Sequence, residues 1–244
     1  MSQLINGDCL EEMNNISDNS VDIIIADLPY GRFNHLEWDK PIDLEKMWEE
    51  LWRISKPNTP IFLFGDMLFG IDLINSQRKH FKYEIVWNKG RSTTPFLSRK
   101  RLGKAVEYVF VFYKSQPVYN YEKYHKKKDY PNANDVWGGV VGRKKDEATT
   151  KQNHIRYTPP LPINIIDFPS KKLNKIIKHI TEKPQGILEF LLKYFSNEGD
   201  TCLDFCMGSG SLGVACSTLN RNFIGIELNT EHFELAKERL ESSI

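Results

Sequence analysis

The chain has 244 residues, 40% apolar and 27% charged, proportions of a soluble globular protein with one full core, or one core plus an insertion. No apolar run approaches the roughly 18–20 residues of a membrane span, and the opening MSQLINGDCLEEM has neither the basic start nor the apolar heart of a secretory leader. The formal charge of +1 hides an asymmetry: residues 91–178 carry 19 Lys and Arg against 7 Asp and Glu, the remainder 14 against 25.

In chain order, VDIIIA (21–26) is a short unbroken apolar run, which predicts a buried parallel strand. LEKMWEELWRISK (44–56) places Leu44, Met47, Trp48, Leu51 and Trp52 at helical spacing before Pro57, so both tryptophans read as core. PIFLFG (60–65) predicts a second buried strand, followed by a helix over 68–79 and strands over 83–89 and 107–114. Strands alternating with helices imply a parallel, doubly wound α/β sheet. After about residue 115 neither period persists, and the stretch is too long for an ordinary loop, so it reads as an insertion with its own task. Within it, His125 reads as a phosphate contact or part of a solvated run, and Trp137, like Trp87, as packing. Order returns with a helix over 184–196, a strand over 201–205, a Gly-Ser-Gly turn, a helix over 212–220, a strand over 223–227 and a helix over 230–240. Cys9, Cys202, Cys206 and Cys216 form no C-x-x-C pair; they read as free thiols of a reducing cytoplasm, with no metal site expected.

Two motifs carry chemistry. Gly208-Ser209-Gly210 follows a strand and opens a helix, where backbone N–H groups approach a ligand closely. Glu227 closes the next strand, at the distance from which an acid reaches ribose hydroxyls. GSGSLG (208–213) has the letters of a dinucleotide fingerprint, yet Asp204 just before it would repel a pyrophosphate. It suits a cationic ligand, and S-adenosylmethionine combines a sulfonium, an ammonium and a ribose. The other reading of the glycines is tight helix–strand packing. The second motif is ADLPYG (26–31). A flipped nucleobase needs a π-face, which Tyr30 offers, and acceptors for its amine, which the Asp27 carboxylate and the Leu28 carbonyl offer, with Pro29 stiffening the turn.

With these motifs the chain resembles the amino-methylating DNA methyltransferases, whose hallmarks are an Asp-Pro-Pro-Tyr motif and a Phe-x-Gly-x-Gly cofactor motif. ADLPYG first, a basic region in the middle and DFCMGSGS last is the order of the beta class. The resemblance covers nearly the whole chain. It implies a mostly parallel seven-strand-type sheet, S-adenosylmethionine as cofactor, duplex DNA as partner and a cytoplasmic location, and it admits a homodimer and a cognate restriction endonuclease. It implies catalysis by Asp27, Leu28, Pro29 and Tyr30, with cofactor contacts from Asp204, Cys206, Gly208, Ser209, Gly210 and Glu227. GDCLEEM (7–13) is similar to the family's segment beside the cofactor adenine, which adds Asp8 and Cys9; HITEKP (179–184) is similar to its His-Pro-Thr-Gln-Lys-Pro stretch, which adds Thr181 and Lys183. Leu28 stands in place of the usual first proline, Cys206 in place of a frequent phenylalanine, and Ile180 and Glu182 in place of Pro and Gln. The implied division is a catalytic half over 1–90, a basic region over 91–178 holding the target-recognition insertion (about 115–175), and a cofactor half over 179–244. Arg99, Lys100, Arg101 and Lys104 are the expected phosphate contacts. The acid at Asp27 points to adenine N6; cytosine N4, a DNA-binding module with a degenerate pocket, and methylation of RNA or protein stay open.

Overall fold

A computed structural model describes residues 2–31, 41–128, 156–168 and 183–242. They fall into two compact units, Met1–Tyr119 with Asn164–Ile244, and Asn120–Ile163. In the larger unit the chain runs β1 (Ser2–Asn6), α1 (Cys9–Glu12), β2 (Ile23–Asp27), α2 (Leu44–Ile54), β3 (Ile61–Gly65), α3 (Met67–Ser76), β4 (Phe81–Asn88) and β5 (Val106–Phe112). The smaller unit holds α4 (Tyr121–Tyr124), β6 (Lys126–Lys128) and β7 (Arg156–Thr158). The larger unit resumes with β8 (Ile165–Asp167), α5 (Gln185–Phe195), β9 (Thr201–Asp204), α6 (Ser211–Thr218), β10 (Asn222–Glu227) and α7 (Thr230–Glu241).

The sheet has the order β1-β10-β9-β2-β3-β5-β4-β8, and every neighbouring pair is parallel except the two made by β5. Apolar runs became strands here because both faces are covered. Ile23, Ile25, Phe62 and Phe64 point into a core closed by Ile187, Leu188, Leu191 and Leu192 of α5. Their neighbours Ile24, Ala26, Ile61 and Leu63 point into a second core closed by Met47, Trp48, Leu51 and Ile54 of α2. Trp48 is buried, its indole N–H donating to Ser76 Oγ at 2.9 Å, and Trp52 stacks on it with ring centroids 5.6 Å apart. Trp87 is buried as well, and its N–H donates to the Phe168 carbonyl at 2.7 Å. None of the helices among the described residues is long and apolar enough to cross a membrane.

The structure corrects the sequence reading in three places. The sheet has eight strands among the described residues, because Ile165–Asp167 pairs with β4 at one edge although it lies inside the stretch read as insertion. Ser2–Asn6 forms the opposite edge strand; only its Leu4 and Ile5 pack on the cores, too few to give an apolar signature. His125 is neither solvated nor poised for phosphate: it is buried, with Nδ1 2.8 Å from the Pro159 carbonyl oxygen. Trp137 lies outside the described residues.

Candidate active site

β2 ends in Asp27, and the chain turns sharply through buried Leu28 and through Pro29 to Tyr30. The Tyr30 hydroxyl donates to Asp27 Oδ1 at 2.8 Å, and its ring packs on Phe69 with centroids 4.9 Å apart. Burial, then Asp27 and Glu107, push the phenol well above its ordinary range, so it stays a donor. Lys183, just before α5, brings its ammonium to Asp27 Oδ2 and also to Glu107 Oε1 at 3.1 Å. It lies 5.1 Å over the Phe64 ring. The second Glu107 oxygen pairs with Lys89. Burial alone would lower Lys183, but Asp27 and Glu107 outweigh it and hold the ammonium charged, above its usual range. Burial likewise works to raise Glu107, and the two ammonium groups overcome it and lower the carboxyl. The result is an alternating row of charges, Asp27, Lys183, Glu107, Lys89.

β9 lies beside β2 in parallel and ends in Asp204. Among the described residues its buried carboxylate accepts one hydrogen bond, from the Cys206 N–H at 3.1 Å. Burial pushes this carboxyl up to about 8; the Cys206 N–H works against the rise, and Asp27 and Glu227 add to it. The following turn uses its glycines differently. Gly208 has φ +51° with nothing within 4 Å of where a Cβ would stand, whereas at Gly210, φ +73°, a Cβ would sit 3.0 Å from that of Ala236. Gly208 therefore leaves room for a ligand, and Gly210 permits close packing of α6 on α7. Glu227, at the end of β10, accepts from the N–H groups of Gly208 (2.8 Å) and Asn229 (2.9 Å).

Both halves open on one cleft of about 340 Å³. Asp27, Leu28, Pro29 and Tyr30 form one wall, and Asp204, Cys206, Gly208, Ser209 and Glu227 the other. Lys183, Asp8 and Cys9 line the same cleft. Asp8 caps α1 by accepting from the Leu10 N–H at 2.8 Å. Cys206 faces Cys9, which with burial raises its thiol, so an aromatic's place is taken by a thiol pair. Gly210 does not line the cleft, and Thr181 lies outside the described residues. Glu107 and Lys89 escaped the sequence reading: each is a lone charge at a strand end, and no local spacing links them to Asp27.

Residues 21–238 match the N6/N4 family of DNA methylases. The chain belongs to the DNA methylase family. M.HpaI, a type II methyltransferase of Haemophilus parainfluenzae, is 29% identical over 98% of this chain and 74% of its own length. The DNA adenine methyltransferase YhdJ of Escherichia coli K12 is 26% identical over 98% of this chain and 82% of its own. The crystal structure of the M1.HpyAVI-SAM complex is similar with a TM-score of 0.65 at 26% identity, covering 98% of this chain and 99% of that one.

In a DNA methylase the basic residues outside the cleft gain meaning. β4 runs parallel to β2, so the loop over 89–105 leaves the sheet at the same edge as Asp27. Its base is laced by Lys89 N–H to the Ala105 carbonyl (2.8 Å) and Thr93 N–H to the Lys104 carbonyl (2.7 Å). Arg99, Lys100 and Arg101 are exposed at its tip with Phe96 and Leu102, while the Lys104 ammonium lies 3.9 Å from Asp66. None of the four cations lines the cleft.

Proposed function

We propose that this methylase transfers the methyl group of S-adenosylmethionine to the exocyclic N6 amine of an adenine flipped out of duplex DNA. The observation that carries the reading is the meeting of Asp27 and Tyr30 with Asp204 and the Gly208 turn in one cleft. The residues fit the cofactor: a buried carboxylate that faces no cation within ion-pair distance among the described residues suits an ammonium or sulfonium, and Gly208 leaves backbone uncovered beside it. When bound, S-adenosylmethionine supplies an electrophilic methyl carbon. Tyr30 offers the flipped base a π-face, and Asp27 with the Leu28 carbonyl accepts the amine's two N–H bonds. Such an amine is a poor nucleophile while its lone pair is delocalised into the ring; acceptors that draw it toward tetrahedral geometry localise the pair. Asp27 then favours the positive charge growing on nitrogen, an interaction stronger in the transition state than before it.

Adenine is favoured because the motif opens with an acid and because a relative matched along nearly the whole chain is an adenine methyltransferase. Incubation with tritiated S-adenosylmethionine and duplex DNA, followed by digestion, is expected to place the label on N6-methyladenine. Label on N4-methylcytosine overturns the base and keeps the mechanism; label on RNA or protein in place of DNA overturns both.

The basic span over 91–178 is assigned to the duplex, with the loop cations as phosphate contacts. Neutralising Arg99, Lys100, Arg101 and Lys104 together is expected to weaken binding of all duplex sequences and flatten the salt dependence by about 0.9 in log–log slope for each phosphate no longer neutralised. Affinity for S-adenosylmethionine should be untouched. An unchanged slope would take the DNA off this loop. Sedimentation with and without duplex decides whether the homodimer admitted by the resemblance forms.

A further inference from the structure

Glu107 belongs to no motif, yet it is an enclosed charge tied through Lys183 to Asp27 that touches neither the base nor the cofactor in the proposed function. It is the second residue of β5, its side chain is 12% exposed, and it lies between Lys183 at 3.1 Å and Lys89 on its other oxygen. A carboxylate this enclosed is costly to bury unless its partners serve it or it serves them. Lys183, 13% exposed, is the only described residue bridging it to Asp27. The groups facing the Lys183 ammonium are Asp27 from β2 and Glu107 from β5, with Asp204 of β9 further off and Lys89, just past the end of β4, behind Glu107.

We propose that Glu107 is a positioning residue for methyl transfer: it balances the Lys183 ammonium, so that the negative charge of Asp27 stays available to the target amine. The inference rests on the proposed function. As the amine's lone pair forms the N–C bond, the S–C pair stays on sulfur, which becomes a neutral thioether; the positive charge passes to the amine nitrogen, which then gives its proton to water. An ammonium paired with Asp27 alone would cancel the charge that stabilises this step. Shared between two carboxylates, and with Lys89 closing the row, Lys183 orients Asp27 without neutralising it. The four charges sum to zero with Glu107 in place and to +1 without it.

The test is a double-mutant cycle on the full chain, with turnover on duplex DNA, cofactor affinity by calorimetry and melting followed together. Glu107→Gln should lower kcat at least tenfold while the Kd for S-adenosylmethionine moves less than about threefold. Adding Lys89→Gln returns the row to zero charge and should recover at least a third of the lost logarithm of kcat. A residue that merely held the fold would show no recovery, since the second change removes a further charged partner. The pH profile gives an independent reading. With one carboxylate left, Lys183 sheds its proton at lower pH and then no longer cancels Asp27, so kcat of Glu107→Gln should rise toward that of the parent at alkaline pH. If Glu107→Gln does not fold, the double variant is compared with Lys89→Gln: a lower kcat in the double at unchanged Kd for S-adenosylmethionine is expected, and an equal kcat overturns the inference. Parental kcat in Glu107→Gln beside a dead Asp27→Ala overturns it too and leaves the proposed function standing. An active Asp27→Ala brings down the proposed function itself.

Discussion

Asp27 and Asp204 end neighbouring parallel strands and open on the same cleft, yet their surroundings are opposite. Asp27 meets a tyrosine hydroxyl and a lysine ammonium that it shares with Glu107, so its two oxygens are held in place. Among the described residues Asp204 accepts from a single backbone N–H and feels the fields of two other carboxylates and, more weakly, of Lys183; its carboxyl is pushed up to about 8 by burial first of all. Two identical side chains on one sheet edge are thus prepared for different partners. The protein supplies partners to both oxygens of the first; in the proposed function the cationic cofactor comes to the second.

The largest expected effect separates the two. Asp27→Ala removes the acceptor that faces the target amine, and loss of one such electrostatic partner costs on the order of 10²–10³ in kcat. Turnover on duplex DNA should fall at least that far, while calorimetric affinity for S-adenosylmethionine stays within a few fold, because Asp204 and the Gly208 turn are intact. Equal loss of cofactor binding would mean that the two acids serve one site and the contrast is false.

Why one half of this contrast was legible in the sequence and the other was not is a matter of range. Asp27, Tyr30, Asp204, Gly208 and Glu227 lie within local motifs whose turn chemistry is fixed by neighbours in the chain, so spacing alone placed them at strand ends. The central strands were legible for the same reason: a strand covered on both faces, such as Ile23–Asp27 or Ile61–Gly65, is an unbroken apolar run. Strands at the sheet edges, Ser2–Asn6 and Ile165–Asp167, need fewer apolar residues and left no such trace. Lys183 reaches Asp27 across 156 residues of sequence, and its second partner, Glu107, reads as an ordinary polar start to a strand. The sequence reading put Lys183 on the cofactor; the structure places its ammonium on two carboxylates. The two glycines of the turn differ: Gly208 faces the cleft, and Gly210 packs on Ala236 of α7, a helix–helix contact where the sequence reading offered helix–strand packing.

A smaller effect sharpens the Asp204 side. Its ordinary value is 3.8 and burial raises it to about 8, so the folded protein holds a proton that the unfolded chain gives up. The contribution of this carboxyl to stability is therefore complete below about pH 4 and is lost as pH rises through about 8. Melting of the protein without cofactor should fall across that window, and Asp204→Asn should flatten the slope. A cation placed against Asp204 favours the ionised form. Binding of S-adenosylmethionine at pH 6.5 should then release a proton, visible as a heat that depends on the buffer's ionisation enthalpy, and affinity should rise by up to about tenfold per pH unit below 8. Asp204→Asn should bind more weakly and release none from this site. Identical proton release in parent and variant would show that Asp204 is not where the cation sits.

The smallest effect tests how completely Asp27 is prepared by its own surroundings. Tyr30 serves it through the hydroxyl and, in the proposed function, serves the base through the ring, and two substitutions divide these roles. Tyr30→Phe keeps the ring on Phe69 and deletes the 2.8 Å hydrogen bond to Asp27. A hydrogen bond to a charged group is worth about 1.5 kcal/mol at the low end, so kcat should drop about tenfold, and less if Lys183 alone keeps Asp27 in place. Binding of the target base should not change, since the π-face remains. Tyr30→Ala also removes a stacking surface worth roughly 1–3 kcal/mol per base, so it should add a loss of base binding, read with a fluorescent adenine analogue at the target position. Phe should therefore leave the fluorescence change on flipping intact and Ala should diminish it. Equal loss of activity and of fluorescence in both variants would assign Tyr30 to Asp27 alone, and the π-face for the flipped base would have to be sought elsewhere in the cleft.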